Sequence, residues 1–356
     1  MDLISLVTYV DGYFWFGDRQ AIRTARHDLA QKMTLKGMNP KIQQVEALGK
    51  CEVQDFAGVR VTQSLEKPVI ILDSTEYTNP IANKLNDKKL HVPRVKRIEK
   101  EETEQNENLL KPCQKKSGEL LWSFVLNRPD IGFAVSHGAS HPSTTGAMRV
   151  FHEAARYLIN EKVLIYEGGH NKQAEIAAVQ TDPRKVKHTV MSDSDHARDA
   201  NLKSRRGQVQ MIGNCTINWA TSKLPNITVY PHDSEMSAGS HACRDGLRIR
   251  NVINSNKFLS QVVDDKSVML LDSESNVKTN NARELPKKSR HVQLCDLYMR
   301  EQHQNSRMPT AHLPRLHNSA DMMTHECGPS EHRRHCESIG IIRKDQIKER
   351  DEKTWN

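Results

Sequence analysis

The spacing of apolar positions predicts alternating strands and helices in both halves of the chain. In the first half, β-branched and aromatic residues over 3–16 flank Asp11-Gly12, a dipeptide typical of a tight hairpin turn. Helical and strand periodicities then predict a helix over 19–33, short strands over 53–62 and 68–72, and an amphipathic helix over 146–158.

The second half predicts a strand, a hairpin, a helix, a buried strand and further helices, in that order. A strand over 186–191 leads to Asp193, and alternating residues on both sides of Gly213-Asn214 predict a hairpin. We expect a helix over 234–252, capped by Asp233 or Ser234. Residues 268–271 are apolar without alternation, which is typical of a strand buried on both faces. The pattern therefore predicts an α/β fold with a mixed sheet and flanking helices.

Composition and charge narrow the classes of partner. The formal net charge of +8 and the pI of about 9.0 favour a polyanion, although plain surface solubility explains the same charge. No apolar run is long enough for a membrane helix, so we expect no membrane association. The 7 cysteines are scattered and contain no Cys-x-x-Cys pair, which favours reduced thiols inside the cell, in the cytoplasm or the nucleus.

Four acidic residues stand where strands end or helices begin. Asp193 and Asp272 end predicted strands, whereas Glu235 and Asp321 stand near predicted helix starts. Ligands gather at the carboxyl ends of strands in α/β sheets, so these side chains are candidates to converge. Clustered carboxylates repel one another, and Mg²⁺ relieves that repulsion. For any one of these acids, a helix cap or a surface charge is the alternative explanation.

Motifs in the first half resemble the end of a reverse transcriptase. Tyr9-Val10-Asp11-Gly12 resembles the Tyr-Val-Asp-Asp hairpin of those enzymes, and the run 128–136, Arg-Pro-Asp-Ile-Gly-Phe-Ala-Val-Ser, resembles the connection of copia-type elements. Further similar segments, in the order of that family, are 55–59, 118–122 and Arg156-Tyr157-Leu158. The chain thus resembles a fragment of the Pol polyprotein of copia-type LTR retrotransposons.

The second half resembles the RNase H domain of the same polyprotein. The matching segments are 192–195, 235–238, 271–275, 289–292, 298–301 and 319–324, so that the resemblance runs from residue 1 to about 325. It implies metal-dependent cleavage of RNA in RNA–DNA hybrids with two Mg²⁺ or Mn²⁺ ions. Asp193, Glu235, Asp272 and Asp321 match the metal-binding acids of that family. Basic residues beside the first strands are weaker candidates for phosphate contacts: Lys203, Arg205, Arg206 and Lys223.

The chain also departs from the family. Gly12 replaces the second carboxylate of the polymerase hairpin, and we expect the fingers and the other metal-binding strand to belong to a longer ancestral frame upstream of Met1. The reverse transcriptase portion is therefore not a competent DNA polymerase. In the RNase H half, the family's His-x-Asp reads His291-Val292-Gln293, and 229–232 replaces the usual Ser-rich approach to Glu235.

The resemblance and the composition together predict five parts of the chain. These are a reverse transcriptase palm and thumb remnant over 1–85, a charged linker over 86–116, a helical connection over 117–180, an RNase H-like domain over 181–326 and a disordered tail over 327–356. The sequence leaves the oligomeric state open.

Three other functions compete with an active RNase H. The alternatives are an inert transposon relic, a module that binds nucleic acid without cleaving it, and a zinc protein. The zinc hypothesis rests on His and Cys residues near the C-terminus, although their spacing is not that of an ordinary finger. These residues are His325, Cys327, His332, His335 and Cys336.

Overall fold

A computed structural model of the chain describes residues 4–9, 12–17, 20, 24–25, 41–83, 95–180, 182–199, 201–285 and 297–347. Strands β1 (Ile4–Tyr9) and β2 (Gly12–Gly17) pair antiparallel with Tyr9 opposite Gly12, which confirms the first hairpin. Val10, Asp11 and nearly all of the helix predicted over 19–33 lie outside the described residues, as do segments 289–292 and 291–293.

An antiparallel six-stranded sheet forms the centre of the first half. Its strands are β3 (Lys41–Val45), β4 (Gly49–Phe56), β5 (Val59–Ser64), β6 (Val69–Asp73), β7 (Lys162–Glu167) and β13 (Ile341–Arg343). Their order is β13-β7-β6-β5-β4-β3. The strand predicted over 53–62 is two strands, because Ala57 and Gly58 take positive φ values of 51° and 82° and turn the chain.

Helices connect this sheet with the second half. They are α1 (Thr75–Asn83), α2 (Leu110–Leu126), α3 (Gly132–Ala139), α4 (Thr145–Leu158) and α5 (Lys172–Ile176). The amphipathic helix predicted over 146–158 is confirmed as α4. Thr144 caps it by accepting a hydrogen bond from the backbone of Ala147 at 3.1 Å. Its apolar face, including Val150 and Phe151, is fully buried in the largest hydrophobic core.

A mixed five-stranded sheet forms the centre of the second half. Its strands are β8 (His188–Asp195), β9 (Arg205–Ile212), β10 (Cys215–Lys223), β11 (Val268–Leu271) and β12 (Thr310–His312). The order is β10-β9-β8-β11-β12, with β8, β9 and β10 antiparallel and β8, β11 and β12 mutually parallel. The predicted order of elements and the mixed α/β class are confirmed, and β11 is buried along its whole length.

Helices flank this sheet, and the longest begins one turn before its predicted start. They are α6 (Pro231–Ser255), α7 (Lys257–Val262), α8 (Glu274–Asn281) and α9 (Tyr298–Gln304). Helix α6 begins after Tyr230, whose backbone N–H donates to Asp233 at 3.2 Å. Asp233 therefore lies in the first turn and neither it nor Ser234 is the cap, because Pro231 favours the first helical position. Among the described residues, no helix combines the length and the apolar character needed to cross a bilayer.

Part of the predicted charged linker is folded. Residues 86–94 lie outside the described residues, but Val95 and Ile98 are buried, and α2 begins at Leu110. Arg149 holds the segment to α4 through two 2.7 Å hydrogen bonds to Glu102. The charged residues of this segment suggested a solvated arm, but one of them, Glu102, instead contacts a neighbouring helix.

The prediction of a disordered tail over 327–356 is wrong for the residues described there. Helix α10 (Pro329–Ser338) packs against the body of the protein, and β13 completes the six-stranded sheet. The inward-facing residues of α10, His332, His335 and Cys336, are at most 5% exposed. A hydropathy pattern misses such a helix because histidine counts as polar, although His332 is buried here with a hydrogen bond to the backbone of Asp130.

The most specific motif of the first half forms a buried polar network. Arg128 donates two 2.9 Å hydrogen bonds to the Asp130 carboxylate, and the Tyr157 hydroxyl donates a third at 2.6 Å. Lys162 donates to the same hydroxyl at 2.7 Å, and His332 donates through Nε2 to the backbone oxygen of Asp130 at 3.0 Å. Burial alone would raise the pKa of Asp130, but the charge and hydrogen bonds of Arg128 hold that pKa well below its usual range.

We expect Asp130→Ala to lower the free energy of unfolding by roughly 3–5 kcal/mol, because it leaves the buried guanidinium of Arg128 without its counter-ion. Urea unfolding followed by circular dichroism measures the change. Asp55→Ala is the matched control, since Asp55 pairs with Arg60 at an exposed position where such pairs contribute little. Equal stability of the Asp130→Ala protein and the wild type would contradict the importance of the network.

Candidate metal centre

Three of the predicted acids converge at one edge of the five-stranded sheet. Oxygen atoms of Asp193, Glu235 and Asp272 all lie within 4.8 Å of one another. The fold explains the convergence: Ser192 on β8 is the register partner of Leu271 on the parallel strand β11, so the residues that follow each are neighbours. Helix α6 packs against β8 and supplies Glu235 from its second turn.

Asp321 joins this group through Asp193. It lies in a 3-10 helix, Ser319–Met323, and its carboxylate is within 4.8 Å of Asp193 and of His325. Asn318 anchors the segment by donating a 2.9 Å hydrogen bond to the backbone oxygen of Ser192. The structure thus brings all four predicted acids together, with the buried Asp193 between the two groups.

A glycine on the neighbouring strand makes room for the Asp321 segment. Gly207 on β9 is the register partner of Asp193. A Cβ atom at this glycine would lie 2.6 Å from Cβ of Met323 and 2.8 Å from the backbone oxygen of Ala320. Any larger residue would therefore push the 3-10 helix away from the sheet, and Asp321 with it.

Burial and mutual repulsion raise the pKa of the acids. Burial, followed by the charges of Asp321 and Asp272, raises the pKa of Asp193 to about 7. Burial, followed by the charges of Asp193 and Asp272, raises the pKa of Glu235 well above its ordinary value. Burial raises the pKa of Asp321 to about 6, against the opposing charge of Arg315. Buried carboxylate oxygens in such a cluster are suitable ligands for a divalent cation, which would offset their repulsion.

The neighbouring acid of the same strand does not join the group. Asp195 forms ion pairs with Arg97 and with Arg198, the latter at 3.3 Å. Its charge is therefore neutralised by the protein. Of the two acids in the segment 192–195, only Asp193 faces other carboxylates.

The predicted phosphate-binding residues do not form an open basic surface. Arg205 is 1% exposed and pairs with the buried Asp199 at 3.2 Å, so its prediction as a phosphate contact is wrong. Lys223 pairs with the same carboxylate at 3.2 Å, and Arg206 donates to Ser222 at 2.8 Å. Lys203 is partly buried. The strand that contains Arg205 turns it inward, which the residue type did not indicate.

Several residues beside the acids were not predicted to act there. The Thr324 hydroxyl donates to Asp193, and His325 places Nε2 at 3.6 Å from Asp321 Oδ2. Arg315 has a side chain that is 67% exposed and lies 3.5 Å from the same Asp321 oxygen. Only their position close to Asp321 in the sequence could have indicated them.

Comparison with known proteins gives similarities to RNase H structures for part of the chain. No model of a known protein family matches the chain. LC11-RNase H1, isolated from compost by a metagenomic approach, is 18% identical over 39% of this chain and 92% of its own, with a TM-score of 0.30. The N-terminal RNase H domain of a Mycobacterium tuberculosis protein, fused to maltose-binding protein, is 17% identical over 43% and 99% of the two chains, with a TM-score of 0.29. LC11-RNase H1 in complex with an RNA/DNA hybrid is 16% identical over 39% and 94%, with a TM-score of 0.29.

We expect the unfolding free energy of the metal-free protein to fall as the pH rises from about 4 to about 7. The folded-state pKa of Asp193 is raised from 3.8 to about 7, so in this window the folded state binds protons that the unfolded state has released. Urea unfolding in the presence of EDTA, repeated at a series of pH values, measures how the unfolding free energy changes with pH.

Asp193→Asn should make the fall of unfolding free energy with pH shallower. In the wild-type protein, Mg²⁺ should restore part of the stability lost at neutral pH. The slope will not vanish in the variant, because Glu235 and Asp321 also have raised pKa values. An identical slope in both proteins would contradict the repulsion among the acids.

Gly207→Val should leave β9 in place but displace the segment with Asp321. We expect Mg²⁺ to stabilise this variant less than the wild type, measured as the shift in melting temperature on adding the ion. Gly118→Val is the control, since a Cβ atom placed there has nothing within 4 Å beyond its chain neighbours and the nearby backbone of its own helix. An equal Mg²⁺ shift in wild type and Gly207→Val would show that Asp321 does not contribute to ion binding.

Proposed function

We propose that the second half of the chain is an RNase H-type endonuclease that hydrolyses the RNA strand of RNA–DNA hybrids with divalent metal ions. The observation that carries this proposal is the convergence of Asp193, Glu235 and Asp272 at the end of two parallel strands, with Asp321 beside them. The same four acids match the metal-binding residues of the family that the sequence resembles.

The acids would hold two Mg²⁺ or Mn²⁺ ions, which activate a water molecule and stabilise the leaving oxygen of a phosphodiester when bound. Other residues of the chain have supporting roles. Thr324 and Asn318 fix the orientation of the acid-bearing segments through their hydrogen bonds. The exposed guanidinium of Arg315 is placed to bind a phosphate of the incoming strand.

The origin of the chain is part of the same proposal. Its motifs follow the order of a copia-type Pol polyprotein, and we infer that residues 1–85 and 117–180 derive from the palm and connection of a reverse transcriptase. Gly12 in place of the second hairpin carboxylate leaves that portion without polymerase activity. The RNase H-like domain is proposed to extend over 181–326.

Cleavage of a labelled RNA–DNA hybrid in Mg²⁺ or Mn²⁺ tests the enzyme. Asp193→Asn should lower the rate at least roughly 100-fold, because a small displacement of a catalytic group already has that effect. Asp265→Asn is the control, since Asp265 lies outside the acid cluster, is 84% exposed and pairs with Lys185 at 3.0 Å. No cleavage by a wild-type protein with a cooperative melting transition would overturn the proposal.

A second function, binding of nucleic acid without cleavage, is favoured by the net charge of +8. Such binding weakens steeply with salt, because bound phosphates release counterions. Hybrid binding that depends on salt and is unchanged by Asp193→Asn, with no Mg²⁺-dependent products, would identify this function.

A further inference from the structure

A second group of metal-ligating side chains lies beside the acids. His325, Cys327 and Glu331 place a ring nitrogen, the thiol sulfur and a carboxylate oxygen within 4.8 Å of one another. Glu331 also belongs to an overlapping group with Asp321 and His335. Glu331 and His335 are four residues apart on α10, so they share one face of that helix.

A buried imidazole in this region has no hydrogen-bond partner. His335 is 1% exposed, and neither of its ring nitrogens makes a hydrogen bond. Oδ2 of Asp321 lies 4.0 Å from Nε2 of this ring. Leaving buried polar atoms unsatisfied is costly, and ligation of a metal by a ring nitrogen removes that cost. The unsatisfied ring lies close to Glu331 and Asp321. It is a second observation, separate from the spacing of His325, Cys327 and Glu331, and it also points to a bound metal ion.

The other two members of the C-terminal His and Cys set have a different environment. His332 donates to the backbone of Asp130, and its Nδ1 lies 3.5 Å from Sγ of Cys336. Lys162 is 3.8 Å from the same sulfur. The fold therefore divides the five residues that suggested a zinc protein: His325, Cys327 and His335 face the acid cluster, whereas His332 and Cys336 belong to the buried network around Asp130.

We propose that His325, Cys327 and Glu331 bind a zinc-class transition-metal ion next to the acid cluster, with His335 as the fourth ligand. Thiolate and imidazole select zinc-class ions, whereas the oxygen-only set of Asp193, Glu235 and Asp272 selects Mg²⁺ or Mn²⁺. Ligand atoms of a tetrahedral zinc are about 3.5 Å apart, so His325, Cys327 and Glu331, whose ligand atoms lie within 4.8 Å of one another, need only a small closure. His335, which lies within that distance of Glu331, has to move further toward the other two ligands. The ion connects the segment after Asp321 with helix α10.

Titration with Co²⁺ provides a spectroscopic test that does not depend on nuclease activity. We expect one Co²⁺ ion per chain to give a thiolate charge-transfer band in the near ultraviolet, displaced by one equivalent of Zn²⁺. Cys327→Ser should abolish the band and weaken Zn²⁺ binding at least roughly 10-fold, measured by competition with a chromophoric chelator. His335→Asn should weaken Zn²⁺ binding but keep the band.

Cys336→Ser is the matched control, because Cys336 is a buried thiol nearby that lies outside the proposed ligand set. It should keep the band. X-ray absorption at the zinc edge of the wild-type protein should show a single sulfur ligand with nitrogen and oxygen neighbours. Absence of any sulfur ligand in the zinc-loaded wild type, or a band that survives Cys327→Ser, would overturn the proposal.

The same spectra separate this site from the nuclease site. Glu235→Gln and Asp272→Asn alter acids that lie outside the zinc set, so they should keep the cobalt band whether or not the wild type cleaves hybrids. Loss of the band in these folded variants would show that the metal binds in the acid cluster instead, which contradicts a separate site.

Discussion

The ion pair between Arg128 and Asp130 fixes the arrangement of the parts of the chain around it. Both side chains are buried, and each Asp130 oxygen accepts from the guanidinium. Tyr157 brings α4 to the same carboxylate, Lys162 brings β7 to Tyr157, and His332 brings α10 to the backbone of Asp130. Four segments, one of them 202 positions from Asp130 along the chain, thus share one polar centre. A buried charge tolerates few geometries, so this centre specifies how the helices meet the sheet.

The acid cluster solves the opposite electrostatic problem. Around Asp130 the protein supplies its own positive charges, whereas around Asp193 the near neighbours include other carboxylates, and the nearby cation Arg315 pairs with Asp321. Asp195, two residues further along the same strand, shows what full neutralisation by arginine looks like. This contrast between two acids on one strand is the electrostatic basis for proposing that Asp193 binds an external cation.

Much of this centre was predictable from local sequence, because strand ends and helix starts are local features. Asp193 lies near the end of β8 and Asp272 directly follows β11, and parallel pairing of those strands brings them together without further information. The position of Asp321 depends instead on Gly207, whose missing side chain allows the close approach. A glycine in a strand does not reveal which segment will pack on it.

Other features depend on tertiary contacts that residue type does not encode. Arg205 resembled a surface cation, yet its strand directs it at Asp199 in the interior. Helix α10 resembled a disordered tail because its charged and imidazole side chains obscured the inward face. The pairing of His332 with Asp130 spans 202 positions in sequence, so no local pattern could have revealed it.

The late position of β13 has a consequence for the order in which the protein is made. Its residues Ile341 and Ile342 pair with Leu164 and Val163, which otherwise form the edge of the six-stranded sheet. At ribosomal rates of about 5–20 residues per second, that edge waits roughly ten seconds or more for its partner. During this interval β7, which pairs with β6 on one side, presents its other edge, which can template pairing with another chain. The topology therefore exposes, during synthesis, a strand edge that the finished protein covers.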